Sequence, residues 1–403
     1  MSIVKLENSI LKGEVNIPPS KSAAHRALIC SFLSGGGSVE GIIDSADMKA
    51  TIGALNALKN GEDTIDCIES GSTLRFIIPI AAALGKSVTF IGSGRLPERP
   101  IGEYIGLLEE HGVKCRSNGF LPLKISGKLT GGTFKLRGDI SSQYVTGLLL
   151  ALPLLNEDGE IILTSPLQSK PYVDMTIKVL KDYNINITEK ENSYYISGSQ
   201  SFKARDYTVE GDWSQTAFFL AAGAIGGDVE VKGVDFASTQ GDKEIVEIMQ
   251  RFGAEVSKGE SSVRAKKSFL SGIEIDAQNI PDLVPALAVV AARANGKTII
   301  KNAERLRLKE SDRIESVVSN LKKMGVNAVE TPDGMIIEGT ESIKGAELCG
   351  YNDHRIVMAF SVLALVANGE TVITDAQSIN KSYPSFFDDY NLLGGRADVI
   401  CDR

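Results

Sequence analysis

The sequence predicts an α/β protein assembled from six copies of one unit, and three observations carry that expectation. Six apolar runs of helical length recur, and their polar starts fall near residues 20, 70, 140, 212, 282 and 353, separated by 50, 70, 72, 70 and 71 positions. Most of these runs end at glycine and give way to a short β-branched strand. A second helical pattern, amphipathic this time, follows each strand after a polar loop. A period this regular marks a repeat architecture. Helices that are apolar nearly all round belong in a core, whereas amphipathic ones lie outside over a sheet.

The elements follow in order. Residues 3–17 read as a strand pair with its turn at Gly13. Pro18-Pro19-Ser20-Lys21-Ser22 then opens the first buried helix, with Ser20 or Ser22 at its N-cap. Residues 38–42 read as a strand and 47–59 as an amphipathic helix. Ser70-Gly71-Ser72-Thr73-Leu74-Arg75 opens the second apolar helix, followed by strand 87–91 and helix 101–111. Ser141-Ser142-Gln143 opens the third, with strand 160–163 and helix 173–183 behind it. The fourth starts at Asp212, the fifth at Pro281-Asp282 and the sixth at Asn352-Asp353-His354-Arg355, each with its strand and outer helix.

Six units divide naturally into two domains of three. The expected domains are residues 20–211 and residues 212–403, the second completed by residues 1–19 because a closed set of three units needs a first strand from elsewhere. The first unit is short by about one hairpin. No low-complexity linker separates the halves, so the crossing reads as a short hinge beside Trp213, the only tryptophan.

Composition narrows the function. A chain of 403 residues suffices for two or three full cores. Its net charge of -8 speaks against nucleic acid as a partner. The five cysteines are scattered without CxxC spacing and the three histidines form no cluster, so no metal site is expected. The amino terminus has no apolar signal core, and no run is long enough to span a membrane. These readings point to a cytoplasmic protein.

Against the negative total, cations gather at the helix starts and in the loops after the strands: Lys21, Arg26, Arg75, Arg99, Lys309, Arg313, Arg355 and Lys381. Any one of them alone could be a solvated surface charge. Their recurrence at equivalent points of a repeat instead favours binding of small anions carrying phosphate or carboxylate, helped by the positive ends of helix dipoles. Ser22, Ser141, Ser142, Gln143, Ser169 and Tyr172 add hydroxyls and an amide. Two carboxylates interrupt the positive field: Asp282 at the fifth helix start and Glu310 in Leu308-Lys309-Glu310-Ser311-Asp312-Arg313. General acid or base work suits both, whereas Asp312 reads as a salt-bridge partner. His354 is either a proton relay or a structural donor.

These motifs resemble the 5-enolpyruvylshikimate-3-phosphate synthase family of bacterial type. The match runs end to end: Pro-Ser-Lys-Ser-x3-Arg at 19–26, Ser-Gly-Ser-Thr-x-Arg at 70–75, Arg-Pro-Ile-Gly at 99–102, Ser-Ser-Gln at 141–143 and Ser-Lys-Pro-Tyr at 169–172. It continues with Pro-Asp at 281–282, Leu-Lys-Glu-Ser-Asp-Arg at 308–313, Asn-Asp-His-Arg at 352–355 and Lys-Ser-Tyr-Pro at 381–384. The resemblance implies a two-domain inverted α/β barrel, each domain holding three βαβαββ units. It implies transfer of the enolpyruvyl group of phosphoenolpyruvate to shikimate 3-phosphate, with no cofactor and no metal. A monomer is expected, and so is domain closure on ligand binding, because helix ends from both halves would have to meet the same anions.

By motif position, Lys21, Ser22, Arg26, Ser141, Ser142, Gln143, Ser169, Tyr172, Asp282 and Lys309 would hold shikimate 3-phosphate. Lys21, Gly71, Arg99, Gln143, Arg313, His354, Arg355 and Lys381 would hold phosphoenolpyruvate. Asp282 would serve as base and Glu310 as proton donor, with Lys21 and Lys381 sharing the proton work. Glu69 and Arg305 depart from the pattern, each standing where Asn is usual, and receive no contact. Two other readings remain: the sister enolpyruvyl transferase acting on UDP-N-acetylglucosamine, and a non-catalytic anion binder on the same scaffold. The sister enzyme usually needs a reactive loop cysteine, but Cys115 sits in a strand-like context.

Overall fold

The computed structural model describes residues 2–401. The chain divides into two compact units, Ser20–Val209 and Met1–Pro19 with Glu210–Arg403. The division falls two residues before the expected 211/212 boundary. The reason is backbone pairing: Pro19 and Gly211 form an antiparallel bridge, and the Asp212 N–H donates to the Pro18 carbonyl at 3.0 Å.

The Ser20–Val209 unit holds α1 (Lys21–Ser34), α2 (Ala46–Asn60), α3 (Gly71–Ala83), α4 (Gly102–Glu110), α5 (Ser142–Ala151) and α6 (Lys170–Asp182). The other unit holds α7 (Trp213–Gly226), α8 (Ile245–Arg251), α9 (Val284–Ala291), α10 (Arg313–Lys323), α11 (His354–Ala364) and α12 (Phe386–Leu392). The odd-numbered helices are the apolar ones. Every residue of α9 and α11 is buried, as are all residues of α7 up to Ile225. The even-numbered helices are two-faced: α10 buries Ile314, Val317, Val318 and Leu321 while Lys322 and Lys323 face water. Helices α5, α7 and α9 carry no charged side chain, and α1, α3 and α11 carry theirs within the first two turns, so the apolar length of each helix is driven into the interior.

Among the described residues, five four-stranded sheets share one topology. In the sheet around α3, Thr64–Asp66 lies parallel to Val88–Ile91, and the hairpin Val113–Arg116 with Leu123–Gly127 adds antiparallel on the far side. The last sheet borrows its hairpin arm. Ser2–Leu6 lies antiparallel between Thr371–Thr374 and Ala397–Cys401. A few residues on, Lys12–Asn16 enters a different sheet, parallel to Asp228–Lys232. The expected hairpin at residues 3–17 is therefore wrong. Its two strands form, but Val4 and Leu6 bury in one sheet and Val15 in another, and Gly13 lies within the second strand rather than at a turn. The first unit keeps only a two-stranded piece, Val39–Glu40 parallel to Tyr207–Thr208, which is shorter than the strand expected over 38–42.

Side-chain caps fix where the buried helices begin. Ser20 accepts the Ala23 N–H, Ser70 that of Thr73, Ser141 that of Gln143, Asp212 that of Gln215 and Asp353 that of Arg355. Each cap leaves neighbouring N–H groups and the dipole's positive end facing the polar turn.

Candidate active site

In the Ser20–Val209 unit, the helix starts bring most of the expected residues into two hydrogen-bonded groups. Arg26, one turn into α1, is 2% exposed and makes two hydrogen bonds to α6 and one within α1. Its Nε donates to Thr176 Oγ1 at 2.8 Å, Nη2 to the Tyr172 carbonyl at 2.9 Å and Nη1 to the Ser22 carbonyl at 2.6 Å. Burial pulls this guanidinium down to about 10, with Tyr172 and Cys30 acting the other way. It remains charged at neutral pH. Beside it, Lys21 is paired with Asp47 at 2.7 Å. Ser169, in a left-handed conformation at φ 56, starts α6.

The second group joins α3 to α5. Arg75 Nη1 donates to Gln143 Oε1 at 3.2 Å, and Gln143 Nε2 donates to Ser72 Oγ at 3.0 Å. Arg99 closes over Gly71: a methyl added there would lie 2.4 Å from Arg99 Nη1 and 2.8 Å from Arg75 Nη1. Glycine is therefore what lets two guanidiniums approach one helix N-terminus. Ser141 caps α5 and Ser142 is buried in its first turn.

In the other unit, Asp282 is the hub. Arg313 Nη1 lies 3.0 Å from Oδ1, Arg355 Nη2 3.1 Å from Oδ2 and Lys309 Nζ 3.6 Å from Oδ1. Burial pushes the Asp282 carboxyl up, but Arg355, Lys309 and Arg313 together outweigh it and hold the group well below the usual carboxylate range. Burial likewise lowers Lys309, and Asp282 offsets only part of this. Glu310 shares the Arg313 guanidinium at 2.9 Å. Lys381 is buried and donates to the Asn352 carbonyl at 2.5 Å. That carbonyl is aimed by two successive left-handed residues, Tyr351 and Asn352. His354, 1% exposed, lies beside Asp353 with 3.9 Å between Nδ1 and Oδ1. Asp312 caps α10 and pairs with Arg307, a structural task.

A family model described as EPSP synthase (3-phosphoshikimate 1-carboxyvinyltransferase) matches residues 7–64 and 57–390. The chain belongs to the EPSP synthase family. A 3-phosphoshikimate 1-carboxyvinyltransferase of Clostridium novyi is 43% identical over 99% of each chain, and one of Clostridium acetobutylicum is 43% identical over 98% of each. Among solved structures, the EPSP synthase of Acinetobacter baumannii matches with a TM-score of 0.81 at 26% identity, covering 100% of both chains. The fold is accordingly the inverted α/β fold of EPSP synthases.

Sequence reasoning missed several partners of these EPSP synthase motifs. Asp353 grips Arg313 and Asp47 grips Lys21. Thr146 and Thr176 line Arg26, and Asp242 lies buried near Asp282. Asp353 was legible as a cap, being a lone Asp before an apolar helix, but its hold on a residue forty positions away was not. The two departures are also placed. A Cβ on Gly94 would come within 2.4 Å of Glu69 Oε2, and Arg305 donates to the Gln278 carbonyl at 2.9 Å. Among the described residues, no group of His, Cys, Asp or Glu could hold a metal ion, and no helix is long and apolar enough to cross a membrane.

Proposed function

We propose that this protein transfers the enolpyruvyl group of phosphoenolpyruvate to the 5-hydroxyl of shikimate 3-phosphate and releases phosphate. The observation that best supports the reading is the Asp282 hub, an ionised carboxylate held by three cations with Glu310 on the same guanidinium. Without substrate, those cations neutralise Asp282. Phosphate and carboxylate groups compete for the same guanidiniums, and Arg grips either group bidentately. As Arg313 and Arg355 turn to phosphoenolpyruvate, Asp282 loses the charges that depress it and its basicity rises toward the useful range.

Asp282 then accepts the 5-hydroxyl proton as that oxygen bonds to C2 of phosphoenolpyruvate, and Glu310 delivers a proton to C3. The product of this addition is a tetrahedral ketal. In the second stage the C2–O bond to phosphate breaks, the departing phosphate carries off the proton that Asp282 took, and Glu310 takes one methyl proton back, which restores both carboxyl groups. Lys21 and Lys381 stabilise the departing phosphate charge. Ser22, Arg26, Ser141, Ser142, Ser169, Tyr172 and Lys309 hold shikimate 3-phosphate in this scheme. Gly71, Arg99, Gln143 and His354 complete the phosphoenolpyruvate set.

The sister reaction on UDP-N-acetylglucosamine is disfavoured by Cys115. It lies within the strand Val113–Arg116, and burial, then Glu109, push its thiol up to about 11, far from a reactive thiolate. We also propose a monomer in the cytoplasm, to be checked by sedimentation and fractionation. The deciding assay is phosphate release from phosphoenolpyruvate in the presence of EDTA. Release that depends on shikimate 3-phosphate supports the reading, and release that depends on UDP-N-acetylglucosamine moves the chain to the sister reaction. Silence with both leaves an anion binder.

A further inference from the structure

We propose that His25 is a positioning residue for this transfer: through Thr51, Thr73 and Ser70 it ties the second turn of α1 to the first turn of α3 in one hydrogen-bonded line. The inference rests on the reading above for what those two turns bind.

The line is continuous and buried. His25 Nδ1 lies 2.7 Å from Thr51 Oγ1, Thr51 Oγ1 lies 2.7 Å from Thr73 Oγ1, and the Thr73 hydroxyl donates to Ser70 Oγ at 2.7 Å. His25, Thr51, Thr73 and Ser70 are each 0–1% exposed. Proton counting fixes its direction, because a hydroxyl carries one proton. The Thr73 proton goes to Ser70, so Thr51 supplies the proton shared with Thr73. With its own proton used, Thr51 can only accept from His25. The imidazole therefore carries its proton on Nδ1, and every bond runs from His25 toward Ser70. Ser70 is the residue that caps α3, accepting the Thr73 N–H at 3.2 Å.

The rest of the ring fits that tautomer. His25 Nε2, bare in this form, has no hydrogen-bond partner among the described residues. The ring meets Phe76 edge-on at 6.3 Å. Burial, reinforced by Lys21 and Arg26, holds the imidazole well below its ordinary pKa, so it stays neutral.

Both ends of the line touch site residues in the chain. His25 precedes Arg26, whose guanidinium stacks over the Phe76 ring at 5.2 Å. Ser70 precedes Gly71, over which Arg99 and Arg75 close. On the α1–α2 contact the line forms the second of two rungs: Lys21 with Asp47, then His25 with Thr51, each partner four residues on and so on the same helix face. One rung holds a charge of the site. The other sets the spacing between the turn assigned to shikimate 3-phosphate and the turn assigned to phosphoenolpyruvate.

Wild-type transfer is measured first and tests the underlying reading. The tautomer is read separately by 15N NMR of the labelled imidazole, without substrate. A protonated Nδ1 is expected for His25, and a protonated Nε2 overturns the proposal. In kinetics, Thr51→Val and His25→Leu should each raise KM for phosphoenolpyruvate about tenfold, as expected for one lost hydrogen bond, with kcat within about threefold. His25→Asn, which returns a donor near Nδ1, and Thr51→Ser should restore KM to within about threefold. The double variant His25→Leu/Thr51→Val should be no worse than either single one, since both break the same line. Unchanged KM in both single variants, a loss that merely follows urea stability, or no rescue by His25→Asn and Thr51→Ser would each overturn it.

Discussion

Asp353 clamps Arg313 from the side: Nε stands 2.8 Å from one carboxylate oxygen and Nη2 3.3 Å from the other. Both groups are buried, at 0% and 1% exposure. Burial alone would lower the Arg313 pKa, but Asp353, Glu310 and Asp282 overcome that and raise it. The same Asp353 caps α11 through the Arg355 N–H at 3.0 Å and accepts from Ser311 Oγ at 3.0 Å. One carboxylate thus sets the start of a buried helix and the orientation of a cation from another element.

Removing that charge should be costly. Asp353→Asn keeps an acceptor for the cap but strips a buried partner from Arg313, and a loss of about 3 kcal/mol is expected in urea unfolding. Asp353→Ala also loses the cap and should cost roughly 1 kcal/mol more. Equal costs for the two variants would mean that the cap contributes nothing.

Gly71→Ala separates binding from stability. The added methyl meets the movable ends of Arg99 and Arg75 rather than backbone, and Gly71 does not have a positive φ. Stability in urea should change by less than about 1 kcal/mol, since alanine is the better helix former. KM for phosphoenolpyruvate should rise at least about tenfold because bidentate cation contacts are geometry-sensitive. The dissociation constant of shikimate 3-phosphate, from calorimetry, should move far less.

Asp242 and Asp282 should give opposite pH signatures. Burial, then the Asp282 charge, push Asp242 up to about 7, while the Ser214 hydroxyl and Arg355 oppose this. A carboxyl raised this way holds a proton in the folded state that the unfolded chain releases. Stability therefore falls as pH climbs from 3.8 to about 7, and the penalty is complete above that. Asp282 is held low, so the stability it contributes is present above 3.8 and lost as pH drops below. Asp242→Asn should accordingly be more stable than wild type at pH 8, by at least roughly 1 kcal/mol, with the advantage shrinking toward pH 4. Urea midpoints at pH 5 and pH 8 check this, and a constant difference would contradict the assignment.

The N-terminal strand should be required for one unit only. Val4 is fully buried and pairs with Ile373 on one side and Val399 on the other. Residues 210–403 alone lack this strand and that of Lys12–Asn16, leaving two sheets incomplete. The fragment should show the red-shifted emission of an exposed Trp213, which in the intact unit is fully buried and donates to the Asp235 carbonyl at 3.0 Å. Fusing residues 1–19 to it should restore the native spectrum. Native emission from the fragment alone would show that the strands are dispensable.

The repeat itself was legible because it is written in hydrophobicity. A run such as 213–226 without a charged side chain can only be buried, and its recurrence about every 70 residues names the architecture. Helix starts were equally readable, since Ser and Asp cap through local hydrogen bonds within three residues. Strand partnership was not readable. Ser2–Leu6 and Lys12–Asn16 carry the alternation of a hairpin, yet their partners lie hundreds of residues away and are chosen by which sheets lack a strand.

The sequence by itself determined the period, the inner and outer helices, the polar helix starts, and the cations and two carboxylates that mark the family. Those are properties of residue type and spacing, and local physics reads them. Only the tertiary structure decided who holds whom: Asp353 on Arg313, Asp47 on Lys21, and three cations on Asp282. It alone decided the direction of the line from His25 to Ser70. A buried charge or hydroxyl takes the partner that packing brings within about 3 Å, and that distance is fixed by helices and strands far apart in the chain.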